Sequence, residues 1–370
     1  MKDCKSIVSI RAVLITLALI ILVLMLGQLP VWAQKPYYQG KTIEIIVPYS
    51  AGGGADIGAR YLSNWLPKFI PGKPKIVVIN KPGSGGRIGA NYVYNVAKPD
   101  GLTMMNTSGG TNLLSLLQLT GVNFDLKKMP MVTANSSSFI HFAKAGVYNN
   151  LEEIFDKDLL IYGHLPPGGG STTSFLLAQK LLGFKLKELV AAYRGSGDAR
   201  RAFRAGEINC SSETVLGYPS HVRDYVKRGE VKIMWQTGML DEEGKNIRFD
   251  PPIGHVPTLY DRYMEKYGKA PSGKYWEAHK TVTSNVANFD KCLVLPPGTA
   301  SNIVNTVSDA CVKMVNDPAF IEETKKKIKV PYMAGRKLKV LFEIHVINAD
   351  KAAVEWMRGW LRDEFGVKLK

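Results

Sequence analysis

Residues 47–62 read VPYSAGGGADIGARYL. The run that leads into them, residues 43–47 (IEIIV), is apolar and β-branched apart from Glu44, which predicts a buried strand. Behind the three glycines, residues 55–69 carry Ile57, Tyr61, Leu62, Trp65 and Leu66 at helical spacing, with Pro67 interrupting the end. The stretch is therefore a strand, a glycine loop and a helix. Glycine lets backbone approach a bound group closely. A helix that starts there aims its free N–H groups and the positive end of its dipole at one point. That combination suits a carboxylate or a phosphate.

The same alternation continues outward. Residues 75–79 (KIVVI) read as a strand, 88–97 as a helix stopped by KPDG, 102–106 as a strand, and 112–119 as a helix behind TSGG. After a crossover it resumes: strand 159–162, the loop PPGGGSTT, helix 175–182, strand 189–193, the turn RGSGD, helix 199–205, and strands 208–211 and 231–235. A strand at 292–295, PPGT and a helix over 301–315 follow, and the last helix runs over about 349–364 with Val354, Met357, Trp360 and Leu361 on one face. Strand–helix alternation predicts α/β units with mostly parallel sheets. Each of the two units has a glycine-rich loop at the carboxyl end of its first strand, where open α/β sheets bind ligands. The sequence shows no internal repeat.

The chain has 370 residues, enough for two domains, with 45% hydrophobic and 22% charged residues and a formal net charge of +16. Lys325, Lys326, Lys327 and Lys329, with Lys337 and Lys339 behind them, form the densest basic run. No nucleic-acid motif accompanies it, and it reads as one solvated helix face. Lys2, Lys5 and Arg11 precede an apolar run over residues 12–26, and PVWAQ places Val31 and Ala33 before a cut. This is the layout of a signal peptide over residues 1–33. The other reading of the run is an uncleaved anchor helix. Removal of 1–33 leaves a charge of +14 and the cysteines Cys210, Cys292 and Cys311. Their spacing fits neither a zinc site nor a redox motif, so they read as isolated buried thiols or at most one disulfide. No later run is long enough to span a membrane.

Catalytic patterns are sparse. The P-loop, G-x-S-x-G and H-E-x-x-H are absent, and Gly83, Gly85 and Gly89 miss the dinucleotide spacing. His141, His221, His255, His279 and His345 are scattered and read as structural or surface residues. His164 stands apart because it ends a strand just before the second glycine loop, where it could donate to a carboxylate. No cofactor and no metal are expected.

The segments IEIIVPYSAGGGADIGARYL and VVINKPGSGGRIGANYVYNVAKPDGLTMMN resemble the solute-binding proteins of tripartite tricarboxylate transporters, the Bug family. The shared features are Val47-Pro48, Gly52 to Gly54 with Asp56, Asn80 to Ala90, and Pro99 to Gly101. LLIYGHLPPGGGSTT, AAYRGSGDARRAFRAGEIN, VPTL and LVLPPGTA match more loosely, so the resemblance runs from about residue 41 to 330.

The resemblance implies a two-domain periplasmic-binding-protein type II (Venus-flytrap) fold with a ligand cleft between the domains. Domain 1 would combine 34–137 with 286–370, and domain 2 would be 138–285. The implied function is capture of a small organic acid, a di- or tricarboxylate or an aromatic carboxylate, for delivery to membrane permease subunits by a periplasmic monomer. The implied ligand contacts are Tyr49, Ser50, Ala51, Gly53 and Asp56 in the first loop, and Thr107 and Ser108 after the third strand. Gly170, Ser171 and Thr172 in the second glycine loop, and Tyr193, Arg194, Gly195 and Ser196 on the far wall, complete them. Asp56 would cap its helix, or else meet a ligand amine or a water. Arg194 would pair with the acid or lie exposed on its turn. Residues 262–290, the tail from Pro331 and the extra proline in PPGGGSTT depart from the family pattern. The alternatives are a binding protein that presents a carboxylate to a sensor, and an exported enzyme using the same cleft. The enzyme would need a base or metal set that the sequence does not show.

Overall fold

The computed structural model describes residues 15–17, 35–148, 150, 152–156, 158–240, 246–248, 254–328 and 330–370. Apart from the helical residues 15–17, the expected leader and its cut lie outside the described residues. Met1–Tyr37 forms one unit and Tyr38–Lys370 another, which holds everything below. No helix among the described residues is long and apolar enough to cross a membrane.

β1 (Thr42–Val47) pairs in parallel with β2 (Lys75–Asn80) on one side and β3 (Thr103–Asn106) on the other. Ile43, Ile45, Ile46 and Val47 are all buried, because helices cover both faces of a parallel sheet. This explains why the strand reads as an apolar run broken only by Glu44. β4 (Met131–Asn135) follows, and β5 (Phe139–Lys144) then opens a second sheet with β6 (Ile161–Gly163), β7 (Glu188–Val190), β8 (Cys210–Thr214) and β9 (Val231–Gln236). A short hairpin, β10 (Met239–Leu240) and β11 (Asn246–Ile247), comes next. The chain returns to the first sheet with β12 (Lys291–Val294) and β13 (Tyr332–Ala334).

The first sheet has the order β13-β4-β12-β3-β1-β2 and the second β7-β6-β8-β5-β9. The two share a plan. Three parallel strands are followed by an antiparallel one, which is β12 in the first sheet and β5 in the second. Each antiparallel strand is the one the chain lays down directly after crossing between sheets. The expected α/β class with two sheets is borne out.

Some expectations shift. β4 and β5 were not foreseen, since MVTAN and FIHFAK are short and sit close together. The strand expected at 208–211 is instead β8, whose polar Ser211, Ser212, Glu213 and Thr214 are all buried. They remain in the sheet because they find partners: Ser211 Oγ donates to the Gly163 carbonyl at 2.7 Å, and Ser212 Oγ lies 2.7 Å from His141 Nδ1. The polar segment 262–290 holds two helices, Leu259–Tyr267 and Lys274–Val286. The second packs against the helices Gly109–Leu117, Gly170–Leu182 and Lys351–Phe365 through buried Ala278, Val282 and Val286. Lys326 and Lys327 pair with Glu322 and Glu323 one helical turn back on an exposed face, as expected of a solvated run. Cys210, Cys292 and Cys311 are buried and free; burial pushes all three thiols up, Cys292 to about 12.

Phe175 anchors the second sheet's core. Its ring stacks on Tyr162 at 3.9 Å between centroids and also meets Phe184 and Trp235 at 5.7 Å. Phe175→Ala leaves a cavity there and lowers unfolding free energy by about 3–5 kcal/mol, to be read from the urea midpoint at constant m-value.

Candidate functional site

Four helices begin at one cleft: Gly54–Trp65 after β1, Gly109–Leu117 after β3, Gly170–Leu182 after β6 and Ser196–Ala205 after β7. None of their N-cap residues, Gly53, Ser108, Gly169 and Gly195, makes a side-chain capping bond. Each start therefore keeps backbone donors and about half a positive charge facing the cleft. The starts come close because they are glycine-rich. A Cβ on Gly54 would lie 2.3 Å from Thr214 Oγ1, and one on Gly110 would lie 3.2 Å from the Gly170 nitrogen.

Side chains then fix the loops. Tyr49 Oη receives a bond from Ser108 Oγ at 2.8 Å and lies 2.8 Å from Thr111 Oγ1, while Asn80 Nδ2 donates to the Tyr49 carbonyl at 3.0 Å. Burial raises the Tyr49 phenol above its ordinary value, so it stays a neutral hydroxyl. Ser50 Oγ is buried at the cleft without a hydrogen-bond partner. Across the cleft, His164 Nδ1 lies 2.7 Å from Ser171 Oγ and its Nε2 3.3 Å from Ser196 Oγ. Burial lowers the His164 pKa to about 4, so the ring is neutral near pH 7 and serves as a hydrogen-bonding group.

A clamp joins the two sides. The Gly52 carbonyl accepts from Arg200 Nη2 at 2.8 Å and lies 3.0 Å from His221 Nε2. Arg200 Nη1 also holds the fully buried Glu213 at 2.5 Å, which balances that charge. On the far side of the same loop, Asp56 accepts from the Gly52 N–H and from Arg60 Nε, both at 2.9 Å. Burial works against its charge, yet these two bonds hold its carboxyl below the usual value.

The cleft brings together Tyr49, Ser50, Gly53, Ser108, Gly170, Ser171, Gly195 and Ser196 from the expected set. The remaining six sit elsewhere. Ala51 is exposed. Asp56 braces the glycine loop from behind, as a first-turn carboxylate rather than as the N-cap residue itself. Thr107 Oγ1 donates to the Ser108 carbonyl at 3.2 Å and Thr172 Oγ1 to the Leu165 carbonyl at 2.6 Å. Tyr193 Oη donates to Glu207 at 3.5 Å. Arg194, in the turn ahead of the Ser196–Ala205 helix, pairs with Asp198 in that helix's first turn at 2.9 Å, its side chain 62% exposed.

Phe139, Leu165, Thr214 and Lys291 also line the cleft and were not foreseen. Phe139, Thr214 and Lys291 lie on β5, β8 and β12, and the signal for Lys291 was legible as a lone charged pair inside FDKCLVL. Among the described residues, no cluster of His, Cys, Asp and Glu could hold a metal ion.

No family model matches the chain. It is 25% identical over 350 residues to a UPF0065 protein of Cupriavidus necator, covering 89% of this chain and 91% of that one. It is 37% identical over 82 residues to the protein BugT of Bordetella pertussis, covering 22% of this chain and 24% of that one. Its fold resembles that of the periplasmic binding protein BugD, with a TM-score of 0.65 at 16% identity over 90% of this chain and 100% of that one. It also resembles MatC of Rhodopseudomonas palustris with bound malate, with a TM-score of 0.63 at 19% identity over 86% and 99% of the two chains. The chain thus has homologues among the UPF0065 proteins and shares its fold with Bug-type periplasmic binding proteins, as its sequence motifs indicated.

Three buried histidines give the protein an acid limit. Burial lowers His141 and His279 to about 3 and His164 to about 4, from an ordinary 6.5. The unfolded chain takes up these protons below pH 6.5 and the folded chain does not. The stability these groups contribute is therefore full above pH 6.5 and is lost as pH falls toward 4 and then 3. Thermal melts should show the midpoint falling steadily across that window, and His164→Asn should flatten the slope.

Proposed function

We propose that this chain is an extracytoplasmic solute-binding receptor that captures a small organic acid in the cleft and delivers it to a tripartite tricarboxylate-type membrane permease. The observation that carries the reading is the convergence of four uncapped helix starts on one narrow cleft. Backbone donors and hydroxyls can meet a carboxylate there without burying an unpaired charge. Structural neighbours add support: MatC is solved with malate, and Rpa4515 of R. palustris, of similar fold at a TM-score of 0.63, with adipate. Di- and tricarboxylates and aromatic carboxylates are accordingly the proposed ligand class.

We assign domain 1 to 34–137 with 286–370 and domain 2 to 138–285. The crossings at residues 136–138 and 287–290 act as the hinge between sheets. Closure is a population shift driven by contacts that exist only when the domains meet. The protein works as a periplasmic monomer, exported by the leader at 1–33, and binds without turnover. His164, neutral at pH 7, donates from one ring nitrogen to one of the Ser171 and Ser196 hydroxyls and accepts from the other, so one of the two keeps its proton for a ligand.

A thermal-shift panel of organic acids, amino acids and phosphorylated sugars tests the ligand class on residues 34–370. A saturable rise confined to carboxylates is expected, since binding to the native state alone raises apparent stability. A rise with phosphorylated sugars instead would refute the carboxylate assignment. For the permease step, an immobilised permease should retain the loaded receptor better than the empty one, and equal retention would refute delivery. Gly54→Ala should weaken binding about tenfold by forcing Thr214 away, with titration calorimetry as the measurement.

A further inference from the structure

Lys291 is almost wholly buried, with 1% of its side chain exposed, yet it lines the cleft. Its Cγ lies 3.5 Å from the place a Cβ on Gly58 would occupy, and its Cε 3.4 Å from that of Gly54. The stem therefore runs in the groove left by two glycines four residues apart, toward the start of the Gly54–Trp65 helix. That end carries the positive dipole, where an ammonium is disfavoured. Asp290, also buried, pairs with the Lys291 ammonium. Backbone bonds hold Asp290 in turn: its N–H donates to the Asn135 carbonyl at 2.9 Å, and its carbonyl accepts from Gly109 at 2.7 Å. An ammonium has three donors, and Asp290 is the acceptor in contact with it. Glu213 is engaged by Arg200. Asp56 and Asp198, in the first turns of two of the four helices, are engaged by arginines, so Asp290 is the carboxylate left to face the Lys291 ammonium.

We propose that Lys291 is the charge-reading residue of this cleft, pairing directly with a ligand carboxylate while Asp290 positions its ammonium. The proposal rests on the carboxylate reading above and deepens it. It means that the cleft distinguishes an acid from its neutral amide by a fixed cation, in addition to backbone donors.

The test is calorimetric titration of the wild-type chain with succinate, malate, adipate, citrate and benzoate, and with the amides of those that bind. The same titrations are run on Asp290→Asn/Lys291→Met, which leaves no buried charge unpaired, and on Lys291→Gln. Circular dichroism establishes which variants are folded. The expected result is an affinity for acids about 10- to 100-fold weaker in the variants, with amide binding little changed, so that the acid-to-amide ratio collapses. Folded variants that bind the acids within twofold of wild type overturn the proposal and leave the carboxylate reading standing. Equal losses for acid and amide also overturn it, because they mark a structural role. A wild-type chain that binds none of the acids overturns both.

Discussion

Uncapped helix starts are the constraint around which this molecule is organised. A helix whose first turn lacks a capping side chain finds acceptors for its free N–H groups in backbone, as Gly109 does in the Asp290 carbonyl, or in solvent or a ligand. Here four such starts point at one another across a gap, at the carboxyl ends of β1, β3, β6 and β7. Parallel strands impose that placement, because a helix that follows a parallel strand begins at the strand's carboxyl end. Bulk at Gly54 or Gly110 would hold the two sides apart.

The same constraint explains what could be read in advance. The strand–glycine–helix pattern at 43–69 and its counterpart at 159–182 announced both sheets and both loops, because each depends on local periodicity and on glycine. The loop residues Tyr49, Ser50, Ser108, Ser171 and Ser196 came from the family resemblance laid onto those loops. β4 and β5 went unplaced, since MVTAN and FIHFAK are short and neither leads into a glycine loop and helix, whereas β12 was legible at 292–295 ahead of PPGT and its helix. β8 was misplaced by two residues because buried Ser211, Ser212 and Glu213 look like loop until their partners are known. Lys291 reaches the cleft from β12, about 240 residues after the helix whose glycines accommodate it. The charged pair in FDKCLVL was legible, but its place in the cleft could not be read locally. Arg194 reads in the sequence either as a partner of the acid or as an exposed arginine on its turn, and it is 62% exposed and paired with Asp198 of the helix that follows.

The protonation states fit a site that holds rather than transforms. Burial raises the Tyr49 phenol and the three thiols and lowers His164, so at neutral pH these groups are uncharged. A base that titrates near 4 has little driving force to accept a proton at pH 7. The same neutral imidazole accepts from one of its two flanking hydroxyls and donates to the other, which fixes the proton of each.

The Arg200 and His221 clamp on the Gly52 carbonyl has a kinetic consequence. These bonds cross between the sides of the cleft without touching its centre, so they contribute to closing whatever acid is enclosed. Escape of the cargo must break them as well as its own contacts, and affinity differences of this kind reside mainly in the off-rate. On the proposed receptor role, the clamp lengthens ligand residence. If the chain delivers a ligand as proposed, a partner that competes for Arg200 or moves the glycine loop away from it would trigger release at the clamp and not among the ligand contacts.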